Sequence, residues 1–545
     1  MLNRMLPLKV LLKYKKLFAI LSKIFVFLRI EINYKNTKMK TFIHNAILAS
    51  ALLIGVSCGS ADHDNAKAAA DSNVKPPKYI FYFVGDGMSQ PQITMAEKAI
   101  SEPGFREQFN KQTCGIYNHD GSALNLRQFP SVGLATTNAE NRFITCSAAA
   151  ATALATGNKT TINTISMNGD RTANYESIAE KAKKAGMKVG VVTSVSIDHA
   201  TPACFYAHVE DRNMYEAIGH WLLKSDFDYF GGGFTRWDKY KDMTKEQFFD
   251  SLKTKGYTVA TTRKDFDALN AQSGKVLATV AKVASEAVDA SALPYNIDLD
   301  VQTSDDDRIV LRDFVKKGIE LLYNEDKGFF LFTEGGKIDW ADHANDAVAN
   351  IYETLALDAA IGVAMDFYKQ HPDETLIVFT GDHECGGLTL GFAGTNYESA
   401  FQLMQNQVVS YEVFGHEMRE YIKTNPKFDA VLAKLQENFG IGGDGALKLS
   451  EYETKRLKEA YLFAKGDKSL KISDEEKHLY YGGYEPVTVT TTHILDNKAG
   501  VEWASYSHTA LPVPVYSIGS GSQQLEGYFD NTDIPKTMMR LANFK

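Results

Sequence analysis

Several acidic and histidine side chains stand at the ends of long apolar runs in the sequence. They are Asp86, Glu334, Asp382 and His383. Carboxylates and imidazoles together suit zinc, whereas a set made only of oxygen ligands suits magnesium. One such residue alone is compatible with a turn or a polar strand cap. Three apolar runs that end this way in one chain predict a metal centre.

A further pair of candidate ligands has helical spacing. Asp339 and His343 are four residues apart, so on a helix their side chains share one face. Glu334 lies five residues before Asp339, at the end of its own apolar run. This spacing strengthens the prediction of a metal centre.

Ser147 is a candidate nucleophile because of its position before a run of small residues. That run, AAAATALATG (148–157), favours a helix. At the start of a helix, free backbone N–H groups and the helix dipole favour a developing alkoxide or a bound phosphate. The alternative is an ordinary N-cap serine without a chemical role.

Apolar runs alternate with helical stretches from residue 78 onward, and these elements must position the candidate residues. The apolar runs lie at 79–84, 187–195, 327–336, 375–383 and 512–522, and helical stretches lie at 173–186 and 342–370. Continuous apolar strands separated by helices are typical of a parallel sheet covered on both faces. We therefore predict an α/β fold, with ligands at the carboxyl ends of the strands.

Composition and charge exclude several classes of protein. The chain has 545 residues, of which 44% are hydrophobic and 23% charged, so it is neither largely disordered nor fibrous. Ten Lys/Arg and one Glu in residues 1–40 give +9, so the other 505 residues carry −17 of the formal net charge of −8. Such an acidic body argues against nucleic-acid binding, because phosphate backbones attract surplus Lys and Arg.

Residues 1–58 are predicted to be a targeting segment, with a signal peptide that starts at Met39. Lys40 precedes the uncharged run TFIHNAILASALLIGVS, which ends in small residues before Cys58. Cys58 stands where a bacterial lipoprotein carries its lipid. We expect an exported protein, either periplasmic or anchored to the outer membrane. Cleavage nearby, with Cys58 incidental, is the alternative. Residues 59–77 are small and polar, like a tether.

The remaining cysteines give no metal or disulfide signature. They are Cys114, Cys146, Cys204 and Cys385, and no two of them form a CxxC pair. Export would permit disulfides, but the sequence leaves their pairing open. The stretch from about 395 to 490 is less regular and more charged than its surroundings, and we interpret it as an insertion.

Six motifs resemble the alkaline phosphatase family, in the family's order. They are VGDGM, TCSAAAATALATGNKT, HATPACFYAHVEDR, TEGGKIDWADH, TGDHE and YSHTALPVPVYSIGSGS. The resemblance covers roughly residues 78–530. It implies a three-layer α/β/α sandwich around a largely parallel sheet, two zinc ions, one magnesium ion and a homodimer. Residues 78–545 would then form a single catalytic domain with the insertion at 395–490.

The resemblance also implies a role for each matched residue. Ser147 resembles the nucleophile that becomes phosphoserine, and Arg212 the arginine that grips phosphate oxygens. Ligands of the first zinc would be Asp339, His343 and His508. Ligands of the second zinc would be Asp86, Asp382 and His383. Asp86 would also bridge to magnesium, whose other ligands would be Thr201 and Glu334.

Three positions around the phosphate site depart from the compact bacterial pattern. Cys146 stands where the family usually has an Asp that helps to hold the arginine, so we expect Arg212 either to be more mobile or to be positioned by Asp211 or another acid. His199 replaces an Asp and Trp340 a Lys. These changes keep the implied metal ligands and alter what surrounds the phosphate.

The function expected from these residues is hydrolysis of small phosphomonoesters to inorganic phosphate and an alcohol. One alternative is a phosphodiesterase or a nucleotide-specific phosphatase of the same superfamily, which the retained Thr201 and Glu334 disfavour. Another is a phosphate- or metal-binding surface protein without activity.

Overall fold

The computed structural model describes residues 74–112, 123–279, 289, 291–302 and 308–545. The predicted targeting segment, nearly all of the tether and Cys114 lie outside these residues. Numbered in chain order, the strands are β1 (Tyr79–Gly85), β2 (Ser131–Thr136), β3 (Lys188–Thr193), β4 (Tyr229–Gly232), β5 (Tyr257–Ala260), β6 (Lys275–Thr279), β7 (Phe329–Gly335), β8 (Thr375–Gly381), β9 (Glu384–Cys385), β10 (Leu388–Thr389), β11 (Glu502–Trp503), β12 (His508–Thr509), β13 (Val513–Gly519) and β14 (Gly527–Asp530).

The α-helices of the described residues surround these strands. They are α1 (Gln90–Ser101), α2 (Pro103–Gln112), α3 (Ser147–Thr156), α4 (Ile178–Lys184), α5 (Ala200–Ala203), α6 (Tyr215–Ser225), α7 (Lys245–Thr254), α8 (Arg263–Ala268), α9 (Leu299–Gln302), α10 (Leu311–Leu322), α11 (Lys337–His343), α12 (Ala347–Gln370), α13 (Tyr411–Lys423), α14 (Phe428–Phe439), α15 (Glu451–Ala464), α16 (Asp474–Tyr481), α17 (Pro486–Ala499) and α18 (Asp533–Leu541).

Ten strands form one central sheet in the order β14-β2-β13-β8-β1-β7-β3-β4-β6-β5. Among the described strands, β13 is antiparallel to both of its neighbours, and the other neighbours in this sheet pair in parallel. The predicted α/β class with a largely parallel sheet is confirmed. The sequence predicts the apolar run at 512–522 as a further parallel strand, and the observed direction differs because burial on both faces does not encode strand direction.

Alternate residues of the central strands enter two separate cores, one on each face of the sheet. In β1, Phe81 and Phe83 pack in one core, and Ile80, Tyr82 and Val84 pack in the other. All seven residues of β1 are buried. Helices on both faces therefore cover the sheet, which is why its central strands read as unbroken apolar runs.

The long helical stretch predicted at 342–370 is broken in the structure. Helix α11 ends at His343 and α12 begins at Ala347. Asn345 between them has φ +53°, a left-handed conformation that asparagine tolerates better than most residues. The Asp346 side chain then accepts a hydrogen bond from Ala349 N at 3.0 Å and caps α12.

Helix α12 lies in the protein core. Among the described residues it is the one helix long and apolar enough to cross a membrane, judged by length and composition. However, 89% of its most apolar 18-residue window is buried inside the protein. Its apolar character is therefore accounted for by packing.

The stretch at 395–490 is mainly helical, with α13 to α16 and the start of α17. Asp346 accepts a hydrogen bond from Tyr411 N at 2.8 Å, and Asp298 accepts one from Ser410 N at 2.8 Å. These buried carboxylates fix the start of α13 to the rest of the fold. Whether the stretch is an insertion stays a prediction.

We predict that Phe332→Ala strongly destabilises the fold, because its ring stacks on Phe205 at 3.8 Å in the core. The free energy of unfolding should fall by about 3–5 kcal/mol. Phe143→Ala is the matched control, since Phe143 is 77% exposed, and should change stability by less than about 0.5 kcal/mol. Urea unfolding midpoints would measure both, and equal shifts would contradict the assigned core.

Candidate active site

The carboxyl ends of three central strands lie level with one another. Gly85 of β1 is paired with Gly335 of β7 and with Gly381 of β8. Asp86 and Asp382 follow directly at the same edge of the sheet. This is the edge at which parallel sheets bind their ligands.

The turn after β1 requires glycine. Gly87 has φ +74°, and a Cβ atom there would lie 2.7 Å from the Cα of Asp339. The Gly87 N–H donates to Asp382 Oδ1 at 3.1 Å. The absence of a side chain therefore lets the β1 turn approach both α11 and the end of β8.

Asp86, Asp382 and His383 form the first group of candidate metal ligands. Nε2 of His383 lies 3.3 Å from Asp86 Oδ1 and 3.3 Å from Asp382 Oδ2. All three side chains are fully buried. Two carboxylates and one imidazole converge on one point, which is a donor set that suits zinc.

Asp339, His343 and His508 form a second group beside the first. Nε2 of His343 lies 3.2 Å from Nε2 of His508, and each lies 3.5 Å from a carboxylate oxygen of Asp339. His343 Nδ1 bonds the Tyr506 carbonyl at 2.7 Å, and His508 Nδ1 bonds the Thr145 carbonyl at 2.9 Å. Donation from Nδ1–H directs both Nε2 lone pairs toward the centre, as in metal-binding histidines.

Cys385 also reaches this second group, and sequence reasoning missed it. Burial is the main cause that raises the pKa of its thiol well above the usual range. A protonated thiol is a poor metal ligand because the thiolate is the ligand form. The feature of the sequence that could have indicated Cys385 is its position two residues after the candidate ligand His383. Cys146, Cys204 and Cys385 are all free thiols.

A third group joins Asp86, Glu334 and His199. Thr201 Oγ1 donates to Asp86 Oδ2 at 3.3 Å. Thr193 at the end of β3 donates to Glu334 Oε2, and its register opposite Glu334 follows from the pairing of β3 with β7. Sequence reasoning missed Thr193, since its role depends on which strands are neighbours.

Ser147 is the first residue of α3, and Cys146 occupies the N-cap position. The hydroxyl of Ser147 lies 3.4 Å from Asp86 Oδ1 and 3.3 Å from His383 Nε2. It therefore points into the first group and does not cap its helix. The ordinary N-cap interpretation does not describe this serine.

Arg212 is held by His199 and by a loop that contacts Cys146. Arg212 Nη2 donates to His199 Nε2 at 3.1 Å. The Arg212 N–H donates to the Asn163 carbonyl at 2.8 Å, and the Asn163 N–H donates to Cys146 Sγ at 3.2 Å. Cys146 thus contacts the arginine indirectly, through one residue of the intervening loop.

The acid expected beside Arg212 is not there. Asp211 Oδ1 instead accepts two hydrogen bonds from Asn213, both at 2.9 Å. Within the described residues, Arg212 forms no ion pair with a carboxylate. Its neighbour His199 is neutral, because burial and then the Arg212 charge lower its pKa to about 3. The His199 ring also meets Trp340 edge to face at 5.9 Å.

The charges of this site are unfavourable without cations. Burial, followed by the neighbouring carboxylates, raises the pKa of both Asp86 and Asp382 well above the usual range. Burial opposes ionisation of Asp339 as well, but the imidazoles of His343 and His508 outweigh it and lower that pKa. Buried charges of one sign require compensation.

The donor atoms fit metal ions. Asp382 Oδ2 is buried and accepts no hydrogen bond within the described structure. Carboxylate and imidazole donors in each group lie within 4.8 Å of one another. A bound cation would satisfy the unpaired oxygen and offset the like charges. The arrangement defines a metal-binding hydrolase site with a serine at a helix start, at the carboxyl edge of an α/β/α sheet.

The sequence model of the family described as alkaline phosphatase matches residues 77–226 and 235–544. The chain belongs to the alkaline phosphatase family. Alkaline phosphatase 4 of Bacillus subtilis is 29% identical over 511 residues, covering 92% of this chain and 96% of that protein. The chain is thus an enzyme of this family, for which metal-dependent hydrolysis of phosphomonoesters is expected.

Solved structures agree with this family. A cold-active alkaline phosphatase from a psychrophilic Shewanella is 27% identical, with a TM-score of 0.67, and the match covers 85% of this chain and 99% of that one. A mutant of the TAB5 alkaline phosphatase with magnesium bound is 25% identical, with a TM-score of 0.56, and the match covers 87% and 100%.

We predict that Asp382→Asn is tolerated without metal and loses most of the stabilisation by metal. In metal-depleted protein, the variant should melt at the same temperature as the parent or higher, because the amide removes a carboxyl group whose ionisation the fold opposes. Saturating zinc and magnesium should stabilise the parent more than the variant. One metal ion at 100 times its dissociation constant adds about 2.7 kcal/mol to the free energy of unfolding.

The pH dependence of this difference has a defined sign. The carboxyl pKa is raised in the folded state, so above the unfolded value of about 3.9 the unfolded chain releases this proton first and the free energy of unfolding falls as pH rises. The metal-free parent should therefore lose stability relative to the variant between pH 4 and pH 8. Asp250→Asn, at an exposed residue, is the control. Equal gains from metal in parent and Asp382→Asn would contradict the assignment.

Proposed function

We propose that the chain hydrolyses phosphomonoesters through a covalent intermediate on Ser147. The Ser147 oxygen attacks phosphorus and the alcohol leaves. Water then attacks the phosphoserine, so that inorganic phosphate departs and the hydroxyl is restored. The observation that carries this proposal is the position of Ser147 Oγ between Asp86 and His383 at the start of α3.

The proposed cofactors are two zinc ions and one magnesium ion. Zinc would be held by Asp339, His343 and His508 and by Asp86, Asp382 and His383. Magnesium would be held by Asp86, Glu334 and Thr201. When bound, these ions supply positive charge that lowers the pKa of the serine and offsets charge on the phosphoryl group.

The chain's own groups would bind and orient the phosphoryl oxygens. Arg212 presents a planar pair of N–H donors, which matches two phosphate oxygens better than a lysine does. The free N–H groups at the start of α3 add further donors. His199 contacts Arg212 and limits where its guanidinium group can lie.

A cavity of about 800 Å³ is lined by the segment that directly precedes Ser147 and supports a broad substrate range. Its lining residues are Asn141, Arg142, Phe143, Ile144, Thr145, Cys146 and Ile162. Phe143 is 77% exposed, so the alcohol part of a substrate would meet an open apolar wall. Such a wall binds many alcohols weakly.

Export, a lipid anchor at Cys58 and a homodimer complete the proposal. Support for export comes from the residues between Met39 and Cys58. Support for the dimer comes from the family resemblance.

Ser147→Ala should abolish the phosphoenzyme while the fold and the metal content stay unchanged. Brief reaction with a ³²P-labelled monoester, followed by acid quench, should trap label on the parent protein and none on the variant. Ser131→Ala removes another buried hydroxyl, which lies 3.3 Å from Ser522, and should trap label like the parent. Labelled Ser147→Ala protein would rule this serine out as the nucleophile.

Cys146→Ala should weaken phosphate binding, because the Asn163 N–H loses its acceptor and the loop that holds Arg212 is loosened. The loss of one such hydrogen bond changes an equilibrium constant by roughly two- to tenfold. We expect the KM and the phosphate inhibition constant to rise by that factor, with a smaller change in kcat. Cys146→Ser keeps an acceptor and should restore both constants. A change in kcat alone, or no rescue by serine, would contradict this positioning role.

Trp340→Lys combined with His199→Asp should tighten inhibition by inorganic phosphate and slow turnover at high pH. Lysine adds a positive charge that tryptophan lacks, and aspartate beside Arg212 replaces a neutral imidazole. If phosphate release limits turnover, tighter binding lowers kcat and KM together. Trp340→Leu with His199→Asn is the uncharged control. An unchanged inhibition constant at full metal occupancy would show that these positions do not set product affinity.

A further inference from the structure

A second cavity lies in the helical stretch at 395–490, away from the candidate nucleophile. It has a volume of about 720 Å³ and lies among α13, α15, α16 and the start of α17. Its lining includes Arg419, Lys423, Lys465, Lys477, Phe463 and Tyr484. No role has been assigned to these residues so far.

The charge of this cavity is opposite to that of the protein body. Four cationic side chains line it, and the one carboxylate in the lining is Glu485. Glu485 is already engaged as the cap of α17, where it accepts hydrogen bonds from Val487 N and Thr488 N at 3.1 and 2.7 Å. Residues 41–545 carry a net charge of −17, and the cavity is a local concentration of positive charge on this acidic protein. Such a concentration attracts anions to one place.

Most of these cations form no direct ion pair with a carboxylate in the described part of the chain. Lys423 pairs with Glu420 on its own helix at 2.5 Å. Arg419, Lys465 and Lys477 form no ion pair among the described residues. Lys477 Nζ lies 6.0 Å above the ring of Phe463, so positive charge and an aromatic face occur side by side.

Two aromatic rings line the same cavity and are held in place by other rings. Phe463 stacks on Tyr481 at 5.4 Å, and Tyr484 meets Tyr411 edge to face at 5.5 Å. Both Phe463 and Tyr484 are half-buried. Their remaining exposed surface can receive a planar group, since stacking on a fixed ring requires little ordering of the protein.

The cavity adjoins a smaller one that leads toward the metal ligands. The smaller cavity has a volume of about 270 Å³, shares Arg419, Tyr484 and Glu485, and reaches Ala344. The Tyr484 ring lies 6.3 Å from that of Tyr506, whose carbonyl accepts the His343 Nδ1 bond. A ligand against Tyr484 therefore lies close to the support of a candidate zinc ligand.

We propose that this cavity is a non-catalytic binding site for an organic phosphate with a planar ring. Arg419, Lys465 and Lys477 would bind the phosphate oxygens. Phe463 and Tyr484 would pack against the ring. The site is distinct from the one at Ser147, which acts on the phosphorus atom of a monoester.

Isothermal titration calorimetry of the metal-loaded, full-length protein with ADP-glucose tests this proposal. Each phosphate of ADP-glucose carries one ester bond and one anhydride bond, so the molecule offers no phosphomonoester to hydrolyse. Its dissociation constant should rise at least tenfold in the triple variant Arg419→Gln, Lys465→Gln, Lys477→Gln. The matched control Lys241→Gln, Lys264→Gln, Lys316→Gln removes three exposed charges elsewhere and should bind within twofold of the parent. Phe463→Leu should weaken binding about fivefold.

Three results would overturn the proposal. The first is equal affinity in the two triple variants, which would place ADP-glucose elsewhere. The second is an unchanged affinity in Phe463→Leu, which would reduce the cavity to a site for simple anions. The third is tighter binding of a single-stranded oligonucleotide through the same cations, which would make the partner a polymer. Binding is measured without turnover, so failure of the Ser147 mechanism would leave this test intact.

Discussion

The burial of like charges at the carboxyl edge of the sheet is the constraint on which the site depends. Asp86 and Asp382 are fully buried and lie beside His383, with Asp339 nearby. Without cations, burial and mutual repulsion raise the carboxyl pKa values of Asp86 and Asp382. With cations, the same groups become ligands held at fixed positions. Metal binding and the stability of this edge of the sheet are therefore thermodynamically coupled.

Backbone geometry, and not additional side chains, holds these groups in position. Level strand ends bring the candidate ligands after β1 and β8 together, and Gly87 lets the first turn approach α11. Backbone carbonyls of Tyr506 and Thr145 orient the histidines from behind. The helix break at Asn345 separates the short helix α11, which carries the candidate ligands Asp339 and His343, from the core helix α12.

Much of this could be predicted from the sequence, because unbroken apolar runs mark the central strands and polar residues mark their ends. Features that depend on neighbours could not. Thr193 supports Glu334 only because β3 lies beside β7, and the direction of β13 leaves no trace in an apolar run. Arg212 contacts His199, and the neighbouring Asp211 accepts hydrogen bonds from Asn213 instead. Neither partner follows from the order of residues in the sequence.

Anomalous diffraction at the zinc edge from crystals of the metal-loaded protein would show whether cations occupy the convergent ligand groups. We expect two strong anomalous peaks, each about 2.0–2.2 Å from its ligand atoms. One should lie among Asp86, Asp382 and His383, and the other among Asp339, His343 and His508. Full occupancy at other positions, with both groups empty, would mean that these side chains do not hold the metal ions.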